Sequence, residues 1–223
     1  MTRTLSEHES IALVERYGVP VAPEHRAATA DDAVTAADAL GYPVVVKLHG
    51  DAIAHKTERG LVRLGVVDAE RVRAAATDLL GRATPDDGDV DLVVAPMVRG
   101  ARELIAGVHT DPQFGRCVML GIGGVLTEAL ADVAFRLVPI TADDADDMLD
   151  ELRTQALLGA VRGEPAVDRA AVRGVLLALS ELAEGEPAVR SVDLNPLIVS
   201  DGRPVAVDAL VEVSGPGEVE GAA

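Results

Sequence analysis

Tryptophan is absent from this 223-residue chain, and two phenylalanines and two tyrosines make up its whole aromatic content. With 48% hydrophobic residues and only 2% aromatic, the core must be built from aliphatic side chains. A single cysteine, Cys117, excludes an intrachain disulfide, and its setting in Cys117-Val118-Met119-Leu120 is that of a buried structural thiol. No apolar run approaches membrane-spanning length, and the opening Met-Thr-Arg-Thr-Leu-Ser-Glu-His-Glu lacks the apolar core of a secretion signal. A cytoplasmic location without a membrane partner is therefore expected. Basic residues are scarce too, 20 Lys and Arg against 37 Asp and Glu, giving a net charge of -17 and a pI near 4.6. Binding to nucleic acid or an anionic membrane depends on clustered cations, so neither is an expected partner.

The scarcest cation is lysine. Lys47 and Lys56 are the only two, nine positions apart, and every other cation is arginine. Both fall in Pro43-Val-Val-Val-Lys-Leu-His-Gly-Asp-Ala-Ile-Ala-His-Lys-Thr-Glu-Arg-Gly60, a β-branched run followed by a turn at Gly50-Asp51 and then His55-Lys56-Thr57. A compact ammonium on a flexible stem suits a phosphate as a point charge, whereas arginine suits planar forks. The stretch reads either as a polyphosphate-holding segment or as a buried strand with a solvated loop after it.

Around this segment the chain alternates helix and strand signals. Ser6, Thr141 and either Thr29 or Asp31 stand where N-caps belong, Asp68 and Asp168 open further helices, and Gly18, Gly41 and Gly81 stand where helices stop. Strands are expected over 43–48, 61–67, 91–98, 103–109, 116–120, 134–140, 192–199 and 205–210, the last two joined by a Ser200-Asp-Gly-Arg turn. The interleaving lacks a strict βαβ repeat and several strands are hairpin-joined, which favours α+β organisation in two lobes. The expected division is 1–98 as an N-terminal lobe with a leading helix, 99–212 as a C-terminal lobe, and 213–223 as a flexible tail.

Three further constellations could carry chemistry. Gly121-Ile-Gly123-Gly124 follows an apolar strand, where glycines let backbone N–H groups approach a phosphate, or simply make a strand-end turn. It is not a Walker loop, because no Gly-Lys-Ser/Thr follows. Asp193 and Asn195 share a strand face, and a hairpin turn would bring Asp208 beside them. Their apolar neighbours Leu194, Leu197, Ile198, Val205 and Val207 argue against an idle solvated edge, and converging oxygens of this kind suit Mg²⁺. His55 could serve as nucleophile, as general base or as an ordinary loop residue.

Taken in order, Tyr-Gly-Val-Pro-Val, Val-Val-Lys, His-Lys-Thr, Arg-Glu-Leu-Ile-Ala-Gly-Val, Asp-Pro-Gln-Phe-Gly, Gly-Ile-Gly-Gly-Val, Asp-Val-Ala-Phe-Arg-Leu-Val-Pro and Asp-Leu-Asn-Pro-Leu-Ile-Val form one series from about residue 5 to residue 212. The series closely resembles the ATP-grasp portion (the β subunit, where the enzyme is split) of the ADP-forming acetyl-CoA or acyl-CoA synthetases. It is more distantly similar to the β subunit of succinyl-CoA synthetase. The resemblance implies an ATP-grasp fold in which two α+β lobes clamp ATP or ADP. It further implies that Lys47 touches nucleotide phosphates, that Ala95-Pro96-Met97-Val98 is the hinge against adenine, and that Glu103 lies near the ribose. Asn195 and Asp208 match the family's Mg²⁺ ligands with Asp193 at a neighbouring acidic position, His55 matches a histidine proposed to relay phosphate, and Gly121, Gly123 and Gly124 fall in the nucleotide-lobe region.

The implied reaction is acyl-CoA + ADP + phosphate ⇌ acid + CoA + ATP, a ligase chemistry in which this chain supplies the nucleotide half. A CoA-binding domain does not fit in 223 residues already occupied by the grasp. The expected partner is thus a CoA-binding α subunit carrying a phosphohistidine, in an α₂β₂-like hetero-oligomer. Two departures flank His55: the usual Ser-Pro-Asp reads His49-Gly50-Asp51, and the usual Gly-Gly reads Gly60-Leu61. They leave two alternatives beside the synthetase, a non-catalytic nucleotide-sensing module and an ATP-dependent carboxylate–amine ligase.

Overall fold

The computed structural model describes residues 2–50, 53, 59–124, 131–161 and 163–215. The chain divides into two compact units, one formed by Ala22–Met97 and the other by Met1–Val21 together with Val98–Ala223.

The smaller unit is a four-stranded antiparallel sheet with two helices. Its strands run in the order β2 (His25–Ala27), β5 (Val90–Pro96), β3 (Val44–Gly50), β4 (Val62–Val66). Helix α2 (Ala30–Leu40) starts at Thr29, whose hydroxyl accepts from Asp32 N–H while the Asp32 carboxylate accepts from Thr29 N–H. Helix α3 (Ala69–Gly81) is capped by Asp68. Such caps satisfy backbone donors that have no partner in the first turn and stabilise by about 1 kcal/mol each. Val44, Val46 and Leu48 of β3 and Leu92 and Val94 of β5 meet Ala33, Ala37, Val72, Ala76 and Leu79 of the helices in one buried cluster. The intervening residues Val45, Lys47 and His49 therefore point to the other face, as the two-residue period of a strand requires.

The larger unit is built on a seven-stranded antiparallel sheet. The order is β1 (Thr2–Thr4), β11 (Leu210–Ser214), β9 (Val189–Ser200), β6 (Arg102–Asp111), β7 (Gly115–Ile122), β8 (Val133–Leu137), with β10 (Arg203–Ala206) also on β9. Helices α1 (Glu7–Arg16), α4 (Ala142–Glu151) and α5 (Arg169–Gly185) contribute Ile11, Val14, Met148, Leu149, Leu176, Leu179 and Leu182 to a single core with the inward residues of β6, β7 and β9. This core is aliphatic, in keeping with the shortage of aromatics. Truncating a fully buried member such as Leu179 removes roughly 2–5 kcal/mol.

The ends of the chain depart from the sequence reading. The leading helix belongs with the larger unit, not with 22–98: β1 pairs along β11, Leu5 N–H donates to Val211 O at 2.8 Å, and Ser10 Oγ accepts from Val211 N–H at 3.2 Å. Val213 and Ser214, expected in a loose tail, are the last residues of β11, paired with β1 on one side and continuous with the β9 ladder on the other. The expected strand over 205–210 is interrupted, since β10 ends at Ala206 and β11 starts at Leu210. The hairpin turn is as read, with Asp201 at φ 49° and Gly202 at φ 83°, the paired left-handed residues of a tight two-residue turn.

Candidate functional site

Lys47 occupies the one half-buried position in a strand that is otherwise buried, on the face turned away from α2 and α3. Its cross-strand neighbours are Val62 on β4 and Val93 on β5. Because β5 has Arg26 of β2 opposite Val93 on its other side, the row reads Arg26, Val93, Lys47, Val62. One step along lie Asp91 and His49, directly paired. The Asp91 carboxylate accepts from Arg26 Nε at 2.5 Å through Oδ2 and sits 3.0 Å from His49 Nδ1 through Oδ1. This network went unread in the sequence, although Lys47 and His49 at a spacing of two in a strand was a usable signal.

His55, with Lys56 and Thr57, lies outside the described residues. The chain is well anchored on either side of it. Ile53 is buried in the smaller core and its N–H donates to Gly50 O at 3.1 Å. Arg59 forks onto Asp87, with Nη1 to Oδ1 at 2.7 Å and Nη2 to Oδ2 at 2.9 Å. Thr84 adds its N–H and hydroxyl to the same carboxylate, each at 2.8 Å. The Arg59 guanidinium first, and then the Thr84 donors, hold the Asp87 carboxyl far below the usual carboxylate range.

The expected adenine hinge starts in β5, where Ala95 pairs with Val45 and Pro96 with Val44. Met97 N–H continues the pattern by donating to Pro43 O at 2.9 Å. The chain passes from the smaller unit to the larger between Met97 and Val98.

In the larger unit the expected metal residues come together. Between β6 and β9 the ladder pairs Leu104 with Leu197 and Ala106 with Leu194, so the two residues Asn195 and Pro196 oppose the single Ile105. That is a bulge, and it resets which β9 side chains face the core: Val192 and Leu194 before it, Leu197 and Val199 after it. Asp193 and Asn195 are left exposed on the opposite face. On the far edge of β9, Ala206 pairs with Leu197 and Leu210 with Asp193, and Val207 N–H reaches Pro196 O at 3.4 Å. Asp208 therefore lies opposite Asn195, also exposed, with its own Oδ1 accepting from Ala209 N–H at 2.8 Å. Although Asp193 reaches solvent, partial desolvation of its carboxyl by the surrounding strands raises its pKa, and a hydrogen bond from the Asn195 side chain partly offsets that rise. Among the described residues no group of three or more His, Cys, Asp or Glu could hold a metal by itself. Two carboxylates and an amide oxygen make a partial oxygen set, the kind Mg²⁺ completes with water and phosphate.

Glu103 is on the same face of β6, opposite Ile198. Its carbonyl accepts from Gly123 N–H at 2.8 Å. The three glycines divide by role. Gly121 is a ladder residue of β7 paired with Ile105, and an added Cβ would meet Val133 Cγ1 at 2.7 Å, so close strand packing rather than a phosphate loop accounts for it. Gly123 sits against the Glu103 backbone, where a Cβ would come to 3.1 Å. Gly124 alone has positive φ, 83°, with its Cβ position 3.6 Å from Glu103 Oε2. A cavity of about 470 Å³ lies further along β6, lined by His109, Asp111, Phe114, Cys117, Phe135, Arg136 and Leu137, and none of the expected site residues borders it.

A family model described as the ATP-grasp domain matches residues 1–213. This chain belongs to the ATP-grasp family. It is 36% identical over 211 residues to the acetate–CoA ligase (ADP-forming) I subunit beta of Pyrococcus furiosus, covering 93% of this chain and 90% of that one. Among solved structures, the dinucleotide-forming acetyl-coenzyme A synthetase 1 of Ca. Korarchaeum cryptofilum, in complex with coenzyme A, Ca-AMPCP and HgCl+, superposes with a TM-score of 0.88 at 31% identity. The match covers 95% of this ATP-grasp chain and 94% of that one. A further structure of that synthetase, with coenzyme A and Mg-AMPPCP and its phosphohistidine segment pointing towards the nucleotide binding site, gives a TM-score of 0.82 at 32% identity, covering 95% and 93%. The ATP-grasp fold expected from the motif series is thus the fold of this chain, in α+β form. No helix among the described residues is long and apolar enough to cross a membrane.

Proposed function

We propose that this chain is the nucleotide-binding β subunit of an ADP-forming acyl-CoA synthetase, a ligase completed by a CoA-binding α subunit in a hetero-oligomer. The observation that carries the reading is the placement of Asp208 opposite Asn195 beside Asp193, an oxygen set, in a chain that also holds half-buried Lys47 on the sheet face turned away from α2 and α3. In the phosphoryl step, an oxygen of the ADP β-phosphate attacks the phosphorus of a phosphohistidine. The N–P bond breaks, its electron pair returns to the imidazole, and ATP forms. His55 is the histidine of this chain assigned to relay that phosphoryl group from the phosphohistidine of the partner.

Lys47 neutralises phosphate charge from a fixed position, which is most of what a protein can contribute to a loose phosphoryl-transfer transition state. Ala95, Pro96, Met97 and Val98 offer backbone groups to adenine, Glu103 accepts from the ribose, and the turn at Gly123-Gly124, held by the Gly123 N–H on Glu103 O, lies on the anion side. Asp193, Asn195 and Asp208 fit a hard divalent cation and would hold Mg²⁺, which when bound neutralises charge on the phosphate oxygens.

The test is ATP formation from the phosphorylated partner subunit, ADP and Mg²⁺. The reading predicts ATP with wild type and none with His55→Ala, whose ADP affinity stays unchanged. Tight ADP binding without phosphoryl transfer in wild type would make the chain a sensing module. ATP consumption coupled to an amine, without any CoA-binding partner, would make it a carboxylate–amine ligase.

A further inference from the structure

Arg26 was assigned no part in the nucleotide site, yet its position is defined by the same strand register as that of Lys47. Both residues are directly opposite Val93, one on each side of it, so both side chains leave the same face of the smaller sheet. Two strand spacings separate their backbones, about 10 Å, a gap that a lysine and an arginine side chain can narrow from both sides. Val93 between them is 1% exposed, whereas the Arg26 side chain is 48% exposed and Lys47 is half-buried, so solvent is met at the two cations and not between them.

The guanidinium is also held. Asp91 takes Nε at 2.5 Å, and the other oxygen of that carboxylate is engaged by buried His49 at 3.0 Å. A guanidinium fixed through Nε by a neighbouring strand is pre-organised, so less side-chain freedom is lost when an anion is bound. His49 anchors Asp91 from β3 itself, two residues beyond Lys47, which ties the orientation of Arg26 to the lysine-bearing strand. Two cations in one row repel each other, and an anion shared between them relieves that repulsion.

We infer that Arg26 is a second polyphosphate-binding cation, working with Lys47 on the β- and γ-phosphates of the bound nucleotide and oriented by the Asp91–His49 pair. This rests on the nucleotide reading of Lys47 proposed above. The ligand class follows from the chemistry: a nucleoside di- or triphosphate gains from both cations, and a nucleoside monophosphate gains little from a pair that addresses the distal phosphates.

The experiment is calorimetric titration of ADP and of AMP into the full chain with its co-purified partner, comparing wild type, Arg26→Gln and Lys47→Ala, with thermal unfolding of each. Arg26→Gln is expected to weaken ADP about fivefold or more, as loss of a charge-assisted contact does, while AMP affinity and melting temperature stay at the wild-type values. ADP affinity unchanged in Arg26→Gln but lost in Lys47→Ala would overturn the inference and leave the nucleotide reading standing. ADP affinity unchanged in both variants would overturn the reading itself. Equal losses for AMP and ADP, or a loss that tracks a lower melting temperature, would assign the Arg26–Asp91 pair to the stability of the sheet and overturn the inference.

Discussion

On the smaller sheet, the face turned away from α2 and α3 carries Arg26 and Lys47 in one cross-strand row, with His49 and Asp91 in the next. The open face of the larger sheet carries Asp193, Asn195 and Glu103, with Asp208 brought alongside Asn195 by the interrupted β10–β11 edge. Both units use the same construction, an antiparallel sheet with helices and an aliphatic core on one side, and differ in what they leave on the other. One offers cations and the other offers oxygens. A polyphosphate takes cations directly but takes carboxylates only through a divalent ion.

The sharpest way to break this contrast is at the lysine. Lys47→Ala should weaken ADP and ATP binding by about 2 kcal/mol, close to thirtyfold, with no change in melting temperature. Calorimetric titration of the two nucleotides and a thermal melt check both halves. If affinity holds, the cationic face has another purpose.

The oxygen face is tested by metal dependence. Asp208→Asn keeps the shape and the Ala209 contact but removes a charge, and should raise the Mg²⁺ concentration needed for half-maximal ADP binding about tenfold. Melting temperature in the absence of metal should not move. A fall in metal-free melting temperature with unchanged Mg²⁺ dependence would make Asp208 a structural residue of the β9 edge.

A smaller effect separates the two units by pH. Asp87, anchored by Arg59 and Thr84, titrates well below its ordinary value of 3.8 when folded. A depressed carboxyl stabilises above the unfolded value and loses that contribution as pH falls through the folded one. Wild-type stability should therefore decline on acidification below about pH 4, and Asp87→Asn should show lower stability at neutral pH with a flatter acid limb. Urea unfolding followed across that range would show it. An acid limb of unchanged slope in the variant would mean that the Arg59 fork adds nothing to the folded smaller unit.

Much of this arrangement was legible locally. Ser6, Asp68, Thr141 and Asp168 are N-caps, as is Thr29 rather than its alternative Asp31, because capping is a matter of one side chain and the amides two or three residues ahead. The Asp201-Gly202 turn follows from backbone preference alone. Features set by distant partners were not legible. Nothing in Thr2–Thr4 signals that it will pair with Glu212–Ser214, and that pairing moves the leading helix into the larger unit and Ser214 out of the tail. Gly121 resembled part of a glycine loop because its packing against Val133 and Ile105 depends on two other strands. The Asn195–Pro196 bulge is a property of register, yet its outcome, two polar residues facing out of an apolar strand, was visible as Asp193 and Asn195 at a spacing of two. Asp208 was legible only through the turn, and Arg26 not at all, since a short three-residue strand gives no periodicity to read.

In the proposed function Lys47 serves the nucleotide phosphates and Asp208 serves Mg²⁺. Titration of ADP, with and without Mg²⁺, into wild type, Lys47→Ala, Asp208→Asn and the double variant tests it directly. ADP binding should be weakened by Lys47→Ala under both conditions and by Asp208→Asn only when Mg²⁺ is present. Binding that either substitution leaves untouched in Mg²⁺ would remove that residue from the nucleotide site.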